Sequence, residues 1–238
     1  MMANNKLNGK KEQGSSSKFV FWVIGLIAVG VLGLIFLNSY SDKQKEEAET
    51  KTAEIDYSNQ PFIGDKAAPV SIVEFGDYKC PACKSFAESF VPLILDEFVD
   101  TGKAKFYFMN DSFINVDSER SAKFAESVFQ ELGNETFWAF HELLYKRQPE
   151  DTKYEKIDLF TESFLTDVLK EVASGEEADK VVKNFRDKKS HEAWQKDMDY
   201  VAKLGVTGTP TLFVNGKMFT GQSMDDLKAM VEEAAKGK

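Results

Sequence analysis

The tightest constraint on the fold lies between residues 70 and 109. Val70 to Phe75 is a short run of apolar and β-branched residues, the pattern of a buried strand. Cys80 follows after Gly76-Asp77-Tyr78-Lys79, and Pro81 suits the first position of a helix. From Ser85 to Thr101, apolar residues at Phe86, Phe90, Leu93, Ile94 and Phe98 keep helical spacing, with a break or kink at Pro92, and Gly102 stops the run. Lys105 to Met109 reads as a second strand. Strand, helix, strand implies a parallel pair with a crossover helix, so the domain is predicted to be α/β.

A long helical region comes next. Glu119 to Leu132 carries Ala122, Ala125, Val128, Phe129 and Leu132 on one face. The pattern continues over 137–145, 159–172, 178–185 and 191–204, so a helical insertion is expected over about 115–204. Strands return at Thr211–Val214 and Lys217–Thr220, which flank Asn215-Gly216, a strong short hairpin signal. Ser223 to Lys236 closes the chain as an amphipathic helix.

The N-terminal portion has a different character. Residues 1–18 are polar and carry Lys6, Lys10, Lys11 and Lys18 against Glu12. They read as a cytoplasmic tail. Phe19 to Leu37 is 19 residues without a charge. As a helix it would span about 28 Å, close to the ~30 Å hydrocarbon core of a bilayer. Trp22 and Tyr40 lie toward its ends, where amphipathic rings are favoured. The lysines before it place the N-terminus in the cytoplasm and residues 38–238 outside. A cleaved signal peptide is the alternative, with Ser39-Tyr40-Ser41 as a poor cleavage site. Residues 38–60 read as an extracytoplasmic tether, and the globular domain is expected from 61 to 238. The formal charge of −9 argues against nucleic acid as a partner.

Only two cysteines are present, Cys80 and Cys83. That is too few for a disulfide framework. A thiol attacks a disulfide as thiolate, and a helix N-terminus and Cys-x-x-Cys spacing both lower its pKa. Cys80 is placed for both effects, with Cys83 one turn inside. Cys80 is therefore expected to be exposed and Cys83 to be the buried resolving partner. Zinc would need two more ligands, and only His141 and His191 remain, 50 residues apart. An inert disulfide would close a tiny loop and stabilise little. No compact loop of oxygen ligands links Gln60, Glu126 or Asp199 into a calcium site. No metal or cofactor is called for beyond the cysteine pair.

Glu74 interrupts an apolar strand whose two faces should both be covered. A carboxyl there would be desolvated and its pKa raised. A solvated glutamate at a strand end is the alternative.

Three stretches together carry a family resemblance: Val73 to Cys83, Phe137-Trp138-Ala139-Phe140-His141, and Gly205 to Thr211. In them the chain resembles the thioredoxin superfamily, specifically its DsbA-like branch, from about residue 60 to the C-terminus. The resemblance implies a thioredoxin fold, a mixed sheet carrying a helical insertion. It implies that Pro210 is a cis-proline beside Cys80 and that the Thr209 backbone can pair with a substrate strand. It places Glu74 beneath the cysteines, where it can exchange a proton with the buried thiol. It implies a protein disulfide oxidase for unfolded secreted proteins with reduced cysteines, recharged by a quinone-linked membrane partner of the DsbB type. Ala82 departs from the members of very high oxidising power, which often carry His between the cysteines. His141 and Trp138 read as core packing, and His191 as a surface or capping residue. A reductase or isomerase of the same fold, or a non-catalytic extracytoplasmic binding or holdase module, remains as an alternative.

Overall fold

The computed structural model describes residues 52–237. Five strands, β1 (Phe62–Ile63), β2 (Val70–Gly76), β3 (Ala104–Asn110), β4 (Thr211–Val214) and β5 (Lys217–Met218), form one mixed sheet in the order β1-β3-β2-β4-β5. β2 and β3 are parallel from Val70↔Ala104 to Gly76↔Asn110, and β4 runs antiparallel to β2. β2 is flanked on both edges and buried along its whole length, which is why its sequence is almost continuously apolar. The hairpin turns at Asn215 and Gly216, both with positive φ, as Asn-Gly predicts.

α1 (Pro81–Ser89) starts where the sequence places it, with Cys80 at the N-cap and Pro81 in its first turn. The kink expected at Pro92 is present. α1 ends at Ser89, Val91–Ile94 continues as a separate turn, and Leu95–Val99 is π-helical before the chain enters β3. Val70 and Ile72 face this crossover, packing with Ile94, Phe98, Leu227 and Val231. Val73 and Phe75 point the other way, to Tyr107, Met109 and Phe213. Alternation along β2 puts Glu74 on the Val70–Ile72 face.

The helical block comprises α2 (Val116–Lys146), α3 (Glu162–Leu169), α4 (Gly175–Arg186) and α5 (His191–Leu204), and α6 (Met224–Lys236) follows the hairpin. The two helices expected over 119–132 and 137–145 are both present, and Val116–Lys146 is broken between them at Gly133, whose φ of 79° and ψ of −170° are not helical. The helix expected over 159–172 is shorter because the Thr161 side chain accepts from Phe164 N–H and caps α3 there. A 3₁₀ turn at Thr152–Lys156 precedes it. Gly205, left-handed at φ 67°, ends α5.

Packing begins upstream of Pro61. Ala53 N–H donates to the Gly216 carbonyl at 2.8 Å, Ile55 is buried, and the Tyr57 ring stacks on Tyr107 at 4.4 Å. The expected tail, the apolar run 19–37 and the tether as far as residue 51 lie outside the described residues. Among the described residues, no helix is long and apolar enough to cross a membrane.

Candidate active site

The two cysteines sit where β2 hands over to α1. Cys80 has an extended backbone (φ −80°, ψ 120°), so its side chain lies against the first N–H groups of the helix. Both thiols are free. The Cys80 thiol lies 3.5 Å from the Thr209 carbonyl, and the Thr209–Pro210 peptide bond is cis. The Cys80 thiol is lowered to about 6, first by the hydrogen bond from Cys83, then by Thr209 and the N–H groups of Cys83 and Ala82, against its burial. Cys83 moves the opposite way: burial raises it, helped by the Cys80 hydrogen bond and the Glu74 charge. One thiol is thus poised as thiolate and its neighbour as a proton-bearing thiol. Both are largely buried, so the expected contrast in exposure is small (Cys80 7%, Cys83 0%). The contrast that matters is electrostatic. Ala82, between them, is exposed.

Glu74 lies fully buried, and neither carboxyl oxygen has a hydrogen-bond partner. Burial, then the Cys80 charge, pushes it up to about 8. The Tyr145 hydroxyl is also buried without a partner. Gly76 leaves room for both groups. A Cβ there would lie 3.1 Å from Glu74 Oε1, 3.1 Å from the Tyr145 hydroxyl and 2.7 Å from Phe108 Cε2. A further carboxyl at the site, Asp111, is pushed up to about 6 by burial, then by the charges of Asp77 and Cys80.

The turn between strand and helix is held by groups that sequence reading missed. Asp77 accepts from the Lys79, Phe113 and Ile114 N–H groups at 2.8, 3.0 and 3.2 Å. Lys79 is wholly buried and donates to Asp117 Oδ2 and to the Tyr154 and Ile157 carbonyls at 2.9, 2.7 and 2.8 Å. Gln148 and Tyr154 bind the carbonyls of this same turn. The one available signal was Lys79 itself, a cation inside an otherwise buried motif. Its partners lie 38 to 78 residues away.

His141 packs as expected, buried among Tyr78, Phe108, Trp138 and Tyr145, with Nδ1 3.0 Å from the Tyr78 hydroxyl. Burial lowers it to about 3, so it stays neutral. His191 is exposed at the start of α5. Gln60 and Glu126 come together around Asn110 and Asp197, whereas Asp199 is exposed and bonded to Gln195.

This arrangement, a thiolate at a helix N-terminus, a proton-bearing neighbour and the cis Thr209–Pro210 bond beside them, can accept and release a mixed disulfide. A thioredoxin family model matches residues 56–233. The probable disulfide bond formation protein D of Bacillus anthracis is 32% identical over 217 residues, 91% of this chain and 94% of that one. Disulfide bond formation protein D of Bacillus subtilis is 34% identical over 200 residues, covering 83% and 87%. The crystal structure of oxidised BdbD from Bacillus subtilis superposes with a TM-score of 0.71 at 33% identity, covering 78% of this chain and 98% of that one. Chlamydia trachomatis DsbA shares the fold, with a TM-score of 0.65 at 21% identity over 78% and 95%. The described domain is therefore a thioredoxin fold with a helical insertion, and its redox group is its own cysteine pair. The chain belongs to the thioredoxin family, in the DsbA-like branch of thiol-disulfide oxidoreductases.

Proposed function

We propose that this protein works as an oxidase, passing a disulfide between Cys80 and Cys83 to unfolded secreted or surface proteins. The carrying observation is the opposed electrostatics of the two thiols, with Cys80 lowered to about 6 and Cys83 raised. A substrate thiolate attacks Cys80 Sγ, the Cys80–Cys83 bond breaks, and Cys83 leaves as the thiolate. Buried Glu74, protonated up to about pH 8, supplies the proton that Cys83 then takes. The substrate's second thiolate attacks the substrate sulfur of the mixed disulfide, and Cys80 leaves. The substrate gains a disulfide and the enzyme holds two electrons as a dithiol. Cys80 departs readily because its thiolate is stable.

Thr209 and Pro210 form the substrate edge in this reading. Pro210 has no N–H, and the Thr209 backbone beside Cys80 pairs with an extended substrate segment. The dithiol must be reoxidised, and the family resemblance supports a DsbB-type, quinone-linked membrane protein for that step. The uncharged run 19–37 and the lysines before it support a retained anchor, with the N-terminus in the cytoplasm and the catalytic domain outside.

The test is a single-turnover assay. Oxidised full-length protein in detergent is mixed with an unfolded protein bearing two reduced cysteines, and thiols on both are counted with time. Transfer of one disulfide per enzyme molecule is expected. A substrate that stays reduced beside a protein that stays oxidised would refute the reading.

A further inference from the structure

Three successive carbonyls, those of Tyr78, Lys79 and Cys80, lead into the helix that carries the thiolate. All three are bound by two side chains of one distant segment. Gln148 Nε2 donates to the Tyr78 carbonyl at 2.6 Å and to the Cys80 carbonyl at 3.4 Å. The Tyr154 hydroxyl lies 2.8 Å from the Lys79 carbonyl and 2.7 Å from Gln148 Oε1, sharing its single hydrogen between them. The amide orientation is set by its surroundings, since only the NH₂ end can face two carbonyls. Lys79 returns the contact by donating its ammonium to the Tyr154 carbonyl at 2.7 Å. Lys84, one turn into α1, donates to the Gln148 carbonyl at 3.0 Å. Gln148 and Tyr154 are both buried.

We propose that Gln148 and Tyr154 are positioning residues for the redox reaction, fixing the peptide groups of residues 78–80 so that Cys80 stays at the helix N-terminus when its disulfide opens. The physical argument concerns partial charge. A carbonyl oxygen near a thiolate opposes it, and the opposition weakens when the oxygen is turned away and bound to a donor. The Gln148 amide and Tyr154 hydroxyl do both. In the disulfide form the bond to Cys83 also restrains Cys80. In the dithiol that restraint is gone, and the two side chains hold these carbonyls together with the Asp77 and Lys79 bonds and the Lys84 N–H on the Cys80 carbonyl. They therefore stabilise the reduced form selectively, and a stabilised reduced form makes the disulfide a stronger oxidant. The titratable groups facing Cys80 are Cys83 on α1, Glu74 on β2, Asp111 after β3 and Tyr154 in the 3₁₀ turn.

The test uses two near-isosteric variants of the full-length protein in detergent. Gln148→Met keeps the length and removes the donors. Tyr154→Phe keeps the ring and removes the hydroxyl. Two quantities are read: the midpoint of thiolate absorbance against pH, and the equilibrium of oxidised protein plus two reduced glutathiones with dithiol protein plus glutathione disulfide. For Gln148→Met the midpoint is expected to rise by about half a pH unit, and the constant for reduction to fall about threefold, the equivalent free energy. Tyr154→Phe should move both in the same direction by less. A purely structural role would change the urea midpoint and leave both quantities alone. A folded Gln148→Met protein that titrates and equilibrates as wild type, or shifts the opposite way, overturns the proposal. Should that variant not fold, Tyr154→Phe decides by the same criterion.

Discussion

Lys79 Nζ lies 2.9 Å from Asp117 Oδ2, and both side chains are completely buried. The pair joins the residue before the first cysteine to the first turn of α2. Asp117 Oδ2 also accepts from the Leu159 and Phe160 N–H groups, at 2.8 and 2.9 Å. The Lys79 ammonium rests 5.0 and 5.1 Å from the Tyr154 and Phe160 ring centres. Lys79→Met would leave a buried carboxylate without its counter-charge. The expected loss is about 3–5 kcal/mol, the usual cost of removing one partner from a buried pair. Urea unfolding of the variant checks this, and an unchanged midpoint would show that the pair contributes nothing.

Glu74 ties stability to pH, and its sign is fixed. Its pKa in the folded protein, about 8, lies above the ordinary 4.5. Between those values the folded state holds a proton that the unfolded chain has released. The stability it contributes is therefore complete below pH 4.5 and is lost as the pH rises toward 8. Glu74→Gln should lose that slope. Reduced wild type is expected to weaken between pH 5 and pH 8 by a few kcal/mol more than the variant, since each pKa unit is worth about 1.4 kcal/mol. Parallel urea midpoints across that range would mean that Glu74 is solvated in solution.

Gly76→Ala should destabilise the domain by about 1–3 kcal/mol, the usual cost of overpacking. The new methyl would meet the Phe108 ring at 2.7 Å and crowd Glu74 and Tyr145. The same methyl fills the space beside Glu74, so disulfide exchange should slow as well. Thermal unfolding and exchange kinetics measure the two effects separately, and wild-type values in both would refute the close approach.

What could be read from the sequence was local. β2, the helix opening at Pro81, the Asn215-Gly216 hairpin and α5 follow from periodicity and turn chemistry within a few residues. Cys80, Cys83 and the cis bond before Pro210 came from motif and resemblance. Strand β1 escaped because two residues carry no period. The helices read on either side of Gly133 are separated there, because its left-handed φ of 79° leaves the helical region. Of the support of the site, only Lys79 left a mark in the sequence, and its partners left none. Lys79 meets Asp117 across 38 residues, and Gln148 meets Tyr78 across 70. Such pairings depend on where the helical block docks, and no local pattern encodes that. Only the folded chain sets the Tyr145 hydroxyl beside the space at Gly76.

The most direct test of the central claim is to trap the mixed disulfide. Replacing Cys83 by Ala removes the intramolecular return to Cys80, so a substrate joined to Cys80 should persist. Replacing Cys80 by Ala leaves a buried thiol with a raised pKa and a poor thiolate supply. Each variant is expressed as the full-length protein, resolved on a non-reducing gel, and its adducts are cut out and identified. Cys83→Ala is expected to carry secreted, cysteine-containing proteins on Cys80 in adducts that a reductant removes, and Cys80→Ala far fewer. No reducible adducts on Cys83→Ala, or as many on Cys80→Ala, would contradict the roles assigned to the two cysteines.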